Sequence, residues 1–368
     1  MAGTIFAAKE CGELNVSGGK MRTKKFFIFS LVLVLILALT VSFIEAATQK
    51  KDQKKDQKVK SIIPKDIKAL LEQSLPARQV KTDLPFQFSD LYILPAKGSY
   101  IAIFITKIKN VDLNYAQPVG NQDLYQSDVE MFIQFYQAGG ETPNLLAEQR
   151  TAGSFTISAA DYQPEGESYY YLGYPLPAGK YTLAAALGHT ATKKLGTTYY
   201  DFEIPNFEEA AQANKLETTS LFLLKDIQQM DTQENYPNFH KDYFSWIIFK
   251  AYPYQDNKLK PGDQPNLMFM IYGAKIDENQ KADLEINFDI RKDNNKIVAF
   301  TPMKYDSPFI EQGIPVPATK KVQIKDDKGE RIEDQPLEPG AYELVLNIKD
   351  NRSGLTLEKR IPFELIVQ

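Results

Sequence analysis

An all-β fold, with two antiparallel sandwiches in tandem, is predicted by three observations: a repeated corner segment, strands of alternating polarity, and turn residues between them. Pro175-Leu176-Pro177-Ala178-Gly179-Lys180-Tyr181-Thr182-Leu183 has a counterpart in Pro336-Leu337-Glu338-Pro339-Gly340-Ala341-Tyr342-Glu343-Leu344. From 175 to 336 the spacing is 161 residues, and it persists at Phe202-Glu203-Ile204 and Phe363-Glu364-Leu365. A second pair of blocks, 128–135 and 283–290, stands 155 residues apart in the same order. An insertion between the blocks reconciles the two spacings, and loops accept insertions at small entropic cost.

The blocks alternate. Tyr342, Leu344, Leu346 and Ile348 share one parity, and Glu343, Asn347 and Lys349 the other, with Val345 the exception. Val129, Met131, Ile133 and Phe135 repeat the pattern in the first half, as do Leu284, Ile286, Phe288 and Ile290 in the second. A period of two marks a strand with one face in a core and one in water, which favours antiparallel sheets. Asp293-Asn294-Asn295-Lys296 and Asp350-Asn351-Arg352-Ser353-Gly354 divide strand pairs with hairpin chemistry.

Along the chain, Met21-Arg22-Thr23-Lys24-Lys25 and the apolar run 26–41 have the layout of a secretory signal peptide over 21–46, with cleavage expected between Ala46 and Ala47. An uncleaved membrane anchor is the alternative, because the run approaches the roughly 20 residues that span a bilayer. Residues 1–20 do not fit this layout and are read as a mis-called start, with translation expected at Met21. Residues 47–62 are a Lys-rich spacer without a hydrophobic face. Ile67, Leu70, Leu71 and Leu75 predict a short amphipathic helix within the lead-in 63–83. The first sandwich is expected over 84–205, a connector over 206–215 and the second sandwich over 216–368. Within the second, 228–239 reads as a polar loop.

The corner residues carry a resemblance. Leu337, Pro339, Gly340 and Tyr342, followed by a strand ending Phe363-Glu364-Leu365-Ile366-Val367, resemble immunoglobulin-like and fibronectin-III-like modules of bacterial exported proteins. The resemblance implies a tyrosine corner at Tyr181 and Tyr342, entered through Gly179 and Gly340, with each hydroxyl bonded to upstream backbone. It implies a fold and no activity.

Chemistry is sparse. The sole cysteine, Cys11, lies in 1–20, so a chain processed at Ala46 has no disulfide and no thiolate metal site. His189 and His240 stand outside any zinc motif and are expected on surface loops. No nucleophile elbow, phosphate loop or calcium loop is present. Neither a catalytic residue nor a cofactor is expected. Of 43 basic and 47 acidic residues, 11 and 5 fall in 1–60, leaving 32 and 42 in 61–368, a body near −10. That balance argues against general nucleic-acid binding.

Tyr162, Tyr170 and Tyr174 form the candidate binding surface, on the expectation that Tyr170 points outward while Tyr169 and Tyr171 point in. The expected function is a non-enzymatic binding or scaffolding protein of the bacterial envelope, exported to the periplasm or beyond, with an unknown protein or polysaccharide partner. Membrane contact is expected only through an uncleaved signal segment. A carbohydrate-binding pair and an accessory of an envelope hydrolase are the alternatives.

Overall fold

Strand periodicity dominates the computed structural model, which describes residues 61–96, 99–138, 143–326 and 329–366. The expected start, signal segment, cleavage point at Ala46 and Ala47, and most of the spacer lie outside the described residues. Among the described residues no helix is long and apolar enough to cross a membrane.

The first half builds two facing antiparallel sheets. One contains β1 (Phe88–Ala96), β2 (Ser99–Lys109) and β5 (Glu167–Leu176), in the order β1-β2-β5. The other contains β3 (Leu124–Gln137), β4 (Asn144–Ser158), β6 (Gly179–His189) and β7 (Leu195–Ile204), in the order β4-β3-β6-β7. Alternate residues of the two inner faces meet in one core. Phe104 of β2 packs on Phe135 of β3 and edge-on against Phe202 of β7, at 5.9 and 4.9 Å between ring centres.

A helix, α1 (Lys65–Ser74), lies on the outer face of the second of these sheets. Its Leu71, with Ile63 and Leu75 beside it, packs on Phe132 and Tyr136 of β3 and on Ala184 and Ala186 of β6. The two alanines leave room for the helix to approach. Lys68 Nζ reaches Glu148 Oε1 at 2.5 Å, and the buried Gln134 amide donates to the same oxygen at 3.1 Å.

The connector helix α2 (Phe207–Gln212) leads to the second half. There β8 (Glu217–Thr218), β9 (Phe222–Gln229), β11 (Phe244–Trp246), β12 (Phe249–Pro253), β14 (Asn266–Tyr272) and β18 (Phe309–Gly313) form one sheet, ordered β11-β12-β9-β14-β18 with β8 on β14. Facing it are β13 (Lys258–Leu259), β15 (Leu284–Lys292), β16 (Asn295–Ala299), β17 (Met303–Tyr305), β21 (Gly340–Asp350) and β22 (Thr356–Leu365). Their order is β13-β22-β21-β15-β16, with β17 on β15. Only the two-residue pairing of β13 with β22 is parallel among the described strands. Strands β19 (Thr319–Asp326) and β20 (Gly329–Pro336) make a separate hairpin.

The two sequence spacings reappear as ladder register. Val129 faces His189 and Phe135 faces Leu183 across β3 and β6. Shifting the first member of each pair by 155 and the second by 161 gives Leu284 facing Asp350 and Ile290 facing Leu344, which are pairs across β15 and β21. Tyr181 faces Phe202, and Tyr342 faces Phe363. A slip of one residue would turn every core side chain outward, so agreement at each position reflects the same inward face in both halves.

The halves are not separated by a loose linker. Ser61–Gln368 is a single compact unit. The outer face of the β1-β2-β5 sheet is covered by the second half, where Tyr92 meets Phe222 edge-on at 4.6 Å and Tyr171 meets Phe244 at 6.1 Å. Trp246 Nε1 donates to the Pro95 carbonyl at 2.9 Å. Residues 101–106 of β2 are therefore buried on both faces. Phe207 of α2 is wedged between Tyr100 and Tyr272.

One strand crosses the expected boundary. Within 228–239, read from sequence as a loop, Gln228 and Gln229 end β9, and Asn238 and Phe239 begin β10 (Asn238–Lys241). β10 pairs antiparallel with β5, extending the first-half sheet to β1-β2-β5-β10. Phe239 is the reason the polar reading fails. Its ring enters the first core against Phe155 and Tyr170, at 5.2 and 5.9 Å. Gly173 makes the pairing fit: a Cβ there would stand 2.5 Å from Asn238 Oδ1 and 2.9 Å from the Tyr236 ring.

Candidate functional site

Of the three tyrosines expected to form a binding surface, Tyr170 is excluded from it by burial, while Tyr162 and Tyr174 are half-buried. Tyr170 is fully buried in the first core, its ring 4.6 Å from Phe155 and its hydroxyl 2.9 Å from that of Tyr115. Burial pushes its phenol far above the ordinary value. Tyr162 stacks on Tyr125 at 4.1 Å, and Tyr174 stacks on Phe135 at 4.4 Å while accepting from Gln149. The expectation of an outward Tyr170 fails because β5 has no wet face along 168–172. Its neighbours Tyr169 and Tyr171 take the opposite side, which the second half covers.

The corner tyrosines sit at the matching ends of β6 and β21. Tyr181 donates to the Pro177 carbonyl at 2.9 Å, and Tyr342 to the Glu338 carbonyl at 2.7 Å. Gly179 and Gly340 precede them at φ 152° and 135°, positive values that side chains disfavour. These residues shape the fold and leave no free chemistry.

Neither histidine is on a surface loop. His189 closes β6, largely buried, and its Nδ1 accepts the Thr192 backbone N–H at 3.1 Å. Burial holds its pKa below the usual value, with Asp128 opposing and Lys194 assisting. His240 lies on β10, stacked on Tyr243 at 4.3 Å and 2.6 Å from Glu234 Oε2. Its pKa is also lowered, by burial against the opposing pull of Glu234. The strands that carry them place both near apolar surface, which loop-like local sequence does not reveal. Among the described residues no three His, Cys, Asp or Glu side chains converge as a metal ion would require.

What the fold does create is a groove where the halves meet, of about 490 Å3. Tyr169 lines it from the start of β5 and Lys225 from β9. Tyr254 and Gln255 follow β12, Lys258 lies on β13, Lys260 and Asp263 form the next turn, and Ile366 follows β22. The chain reaches this arrangement through a tight turn, with Asp256 at φ 52° and Asn257 at φ 50°. Asp and Asn adopt such left-handed conformations more readily than other side chains.

Asp256 joins the halves beside the groove. Its carboxylate accepts the Tyr169 hydroxyl and lies 3.3 Å from Lys107 Nζ and 3.9 Å from Lys258 Nζ. Burial raises the Tyr169 phenol, and the Asp256 contact raises it further, so the hydroxyl stays a donor. Lys225 Nζ stands 5.5 Å above the Tyr254 ring, a cation–π contact. Asp263 accepts the Lys260 N–H at 2.7 Å. The groove therefore mixes cations, a carboxylate, an amide and two phenols. Its residues are scattered from 169 to 366. The turn signal at Gln255-Asp256-Asn257 is the one local hint in the sequence.

No family model matches the chain, and no curated protein matches it. Among solved structures, a Salmonella alpha-2-macroglobulin variant aligns over 78% of this chain and 16% of its own, at 10% identity and a TM-score of 0.16. Native-conformation alpha-2-macroglobulin of E. coli aligns over 76% and 16%, at 11% identity and the same TM-score. The chain thus spans about a sixth of either protein. The protein is all-β, built of several antiparallel sheets at the level of general likeness to immunoglobulin-like sandwiches.

Proposed function

We propose that this is an exported, non-enzymatic binding or scaffolding protein of the bacterial envelope, built from two immunoglobulin-like sandwiches. The observation that carries the reading is the covered face of the β1-β2-β5 sheet. Tyr92, Tyr171, Phe222, Phe244 and Trp246 fuse the halves into one stiff body rather than a flexible pair. A stiff body with a polar groove at its seam suits holding a macromolecule at fixed geometry. The basic and apolar segment at 21–46 supports export. An acidic body disfavours nucleic acid as the partner, which leaves a protein or a polysaccharide.

The test is cell fractionation with in-cell crosslinking of the tagged full-length protein in a bacterial host. Expected are recovery in the envelope or medium and one recurrent crosslinked macromolecule. Recovery in the cytoplasm with an intact N-terminus would overturn the proposal.

A further inference from the structure

The seam groove points to a ligand of definite chemistry. We propose that it binds an acidic sugar unit, a hydroxylated ring bearing a carboxylate, with the carboxylate held by Lys225 and Lys260. This rests on the envelope-binding reading above.

Charge selects the anion. The body from 61 to 368 is net acidic, yet three lysines line this groove. Lys258 is engaged with Asp256. Lys225 and Lys260 have no carboxylate within ion-pair reach among the described residues, so both ammonium groups remain available. Each is exposed and lines the groove, Lys225 from β9 with its ammonium over the Tyr254 ring and Lys260 from the turn after β13. An ammonium point charge suits a carboxylate or a phosphate equally.

The rest of the lining separates those two. A dense polyphosphate gains nothing from a carboxylate in its site. Asp263 lines the groove, and only one of its oxygens is used by the Lys260 N–H. Its other oxygen is suited to accept from a sugar hydroxyl. Gln255 adds an amide whose nitrogen already donates to Asp242, leaving its oxygen to accept, and Tyr254 adds flat amphipathic surface. Mixed donors and acceptors beside a surplus cation match a ligand with hydroxyls and one negative charge. The volume, about 490 Å3, lies in the range of small-ligand pockets.

Calorimetry on the full chain tests this with three probes: a galacturonate trimer, the galactose trimer that lacks its carboxylates, and inorganic tripolyphosphate. The acidic trimer is expected to bind, and the other two at least roughly tenfold more weakly, about the value of one charge-assisted contact. The double variant Lys225→Gln/Lys260→Gln should weaken the acidic trimer by roughly tenfold or more. Lys65→Gln/Lys180→Gln, on the first half, should leave it unchanged. The inference is overturned if no probe binds, if tripolyphosphate or the neutral trimer binds as tightly as the acidic one, or if the groove variant binds normally. An envelope partner crosslinked in cells while all three probes fail would overturn this inference alone.

Discussion

Tyr342 donates its hydroxyl to the carbonyl of Glu338, four residues earlier, across 2.7 Å. The ring stacks on Phe363 at 5.6 Å, and Lys292 stands 5.3 Å above it while pairing with Glu338 at 3.1 Å. One side chain thus ties the turn before β21 to the end of β22. Removing the hydroxyl leaves the Glu338 carbonyl short of a partner, at a cost of about 1–3 kcal/mol. Tyr342→Phe in the full chain should lower the melting temperature while the circular dichroism spectrum stays the same. An unchanged melting temperature would mean that the ring alone matters.

Gly173→Ala should release β10. The new methyl would collide with Asn238 and Tyr236. The strand can avoid it only by leaving β5, at a cost on the order of 1–3 kcal/mol. Hydrogen exchange at 238–241 should accelerate while β2 and β6 remain protected. Full protection at 238–241 would show that the sheet edge adapts.

The seam should report on itself through the chain's single tryptophan. Trp246 is buried, and its indole N–H is bonded to the first half. Phe244→Ala empties space lined by Tyr92, Tyr171 and Phe222, which should cost about 3–5 kcal/mol. Tryptophan emission should move to longer wavelength at lower denaturant than in the parent protein. Residues 216–368 expressed alone should show the red-shifted emission without denaturant. An unshifted spectrum in both would argue against the packing at the seam.

Acid should weaken the fold in two steps. His189 has a lowered pKa because burial favours the neutral ring, so its contribution is complete above the ordinary value of 6.5. That contribution declines as pH falls from 6.5 to the lowered value, because the unfolded chain takes the proton first. Asp350 is pushed up by burial, but the Lys275 and Arg352 N–H groups and the Ser353 hydroxyl hold it below 3.8. Its contribution is present above 3.8 and is lost as pH falls through the lowered value. His189→Asn keeps an acceptor for Thr192 and should shrink the upper step, the remainder belonging to His240, whose pKa burial also lowers; Asp350→Asn should shrink the lower one. Denaturant midpoints from pH 7 to 3 check both. Unchanged curves would remove these groups as the source.

Local sequence made the inward faces legible. Ile286, Phe288, Leu344 and Leu346 alternate because each strand has one covered side, and the spacing of Gly340 and Tyr342 marks the corner turn. It did not make the outward faces legible. Tyr170 and Tyr171 are both buried, since the second surface that covers β5 comes from residues 222–246. No period in β5 records a partner so distant. Phe239 was hidden for the same reason: a single apolar residue among polar neighbours shows no strand period. The groove was the least legible, because Tyr169, Lys225 and Ile366 meet only after both halves have packed.

Strand β10 has a consequence for inheritance. The repeat divides the chain near the connector at 206–215, but the first half's sheet is completed by residues encoded after that point. The unit that recurs in the sequence and the unit that folds therefore end at different residues. A genetic exchange at the connector would deliver a first half with a bare sheet edge and a second half with a strand that has nowhere to pair. The two halves would then have to travel together to keep both sheets complete, however similar their ladders remain.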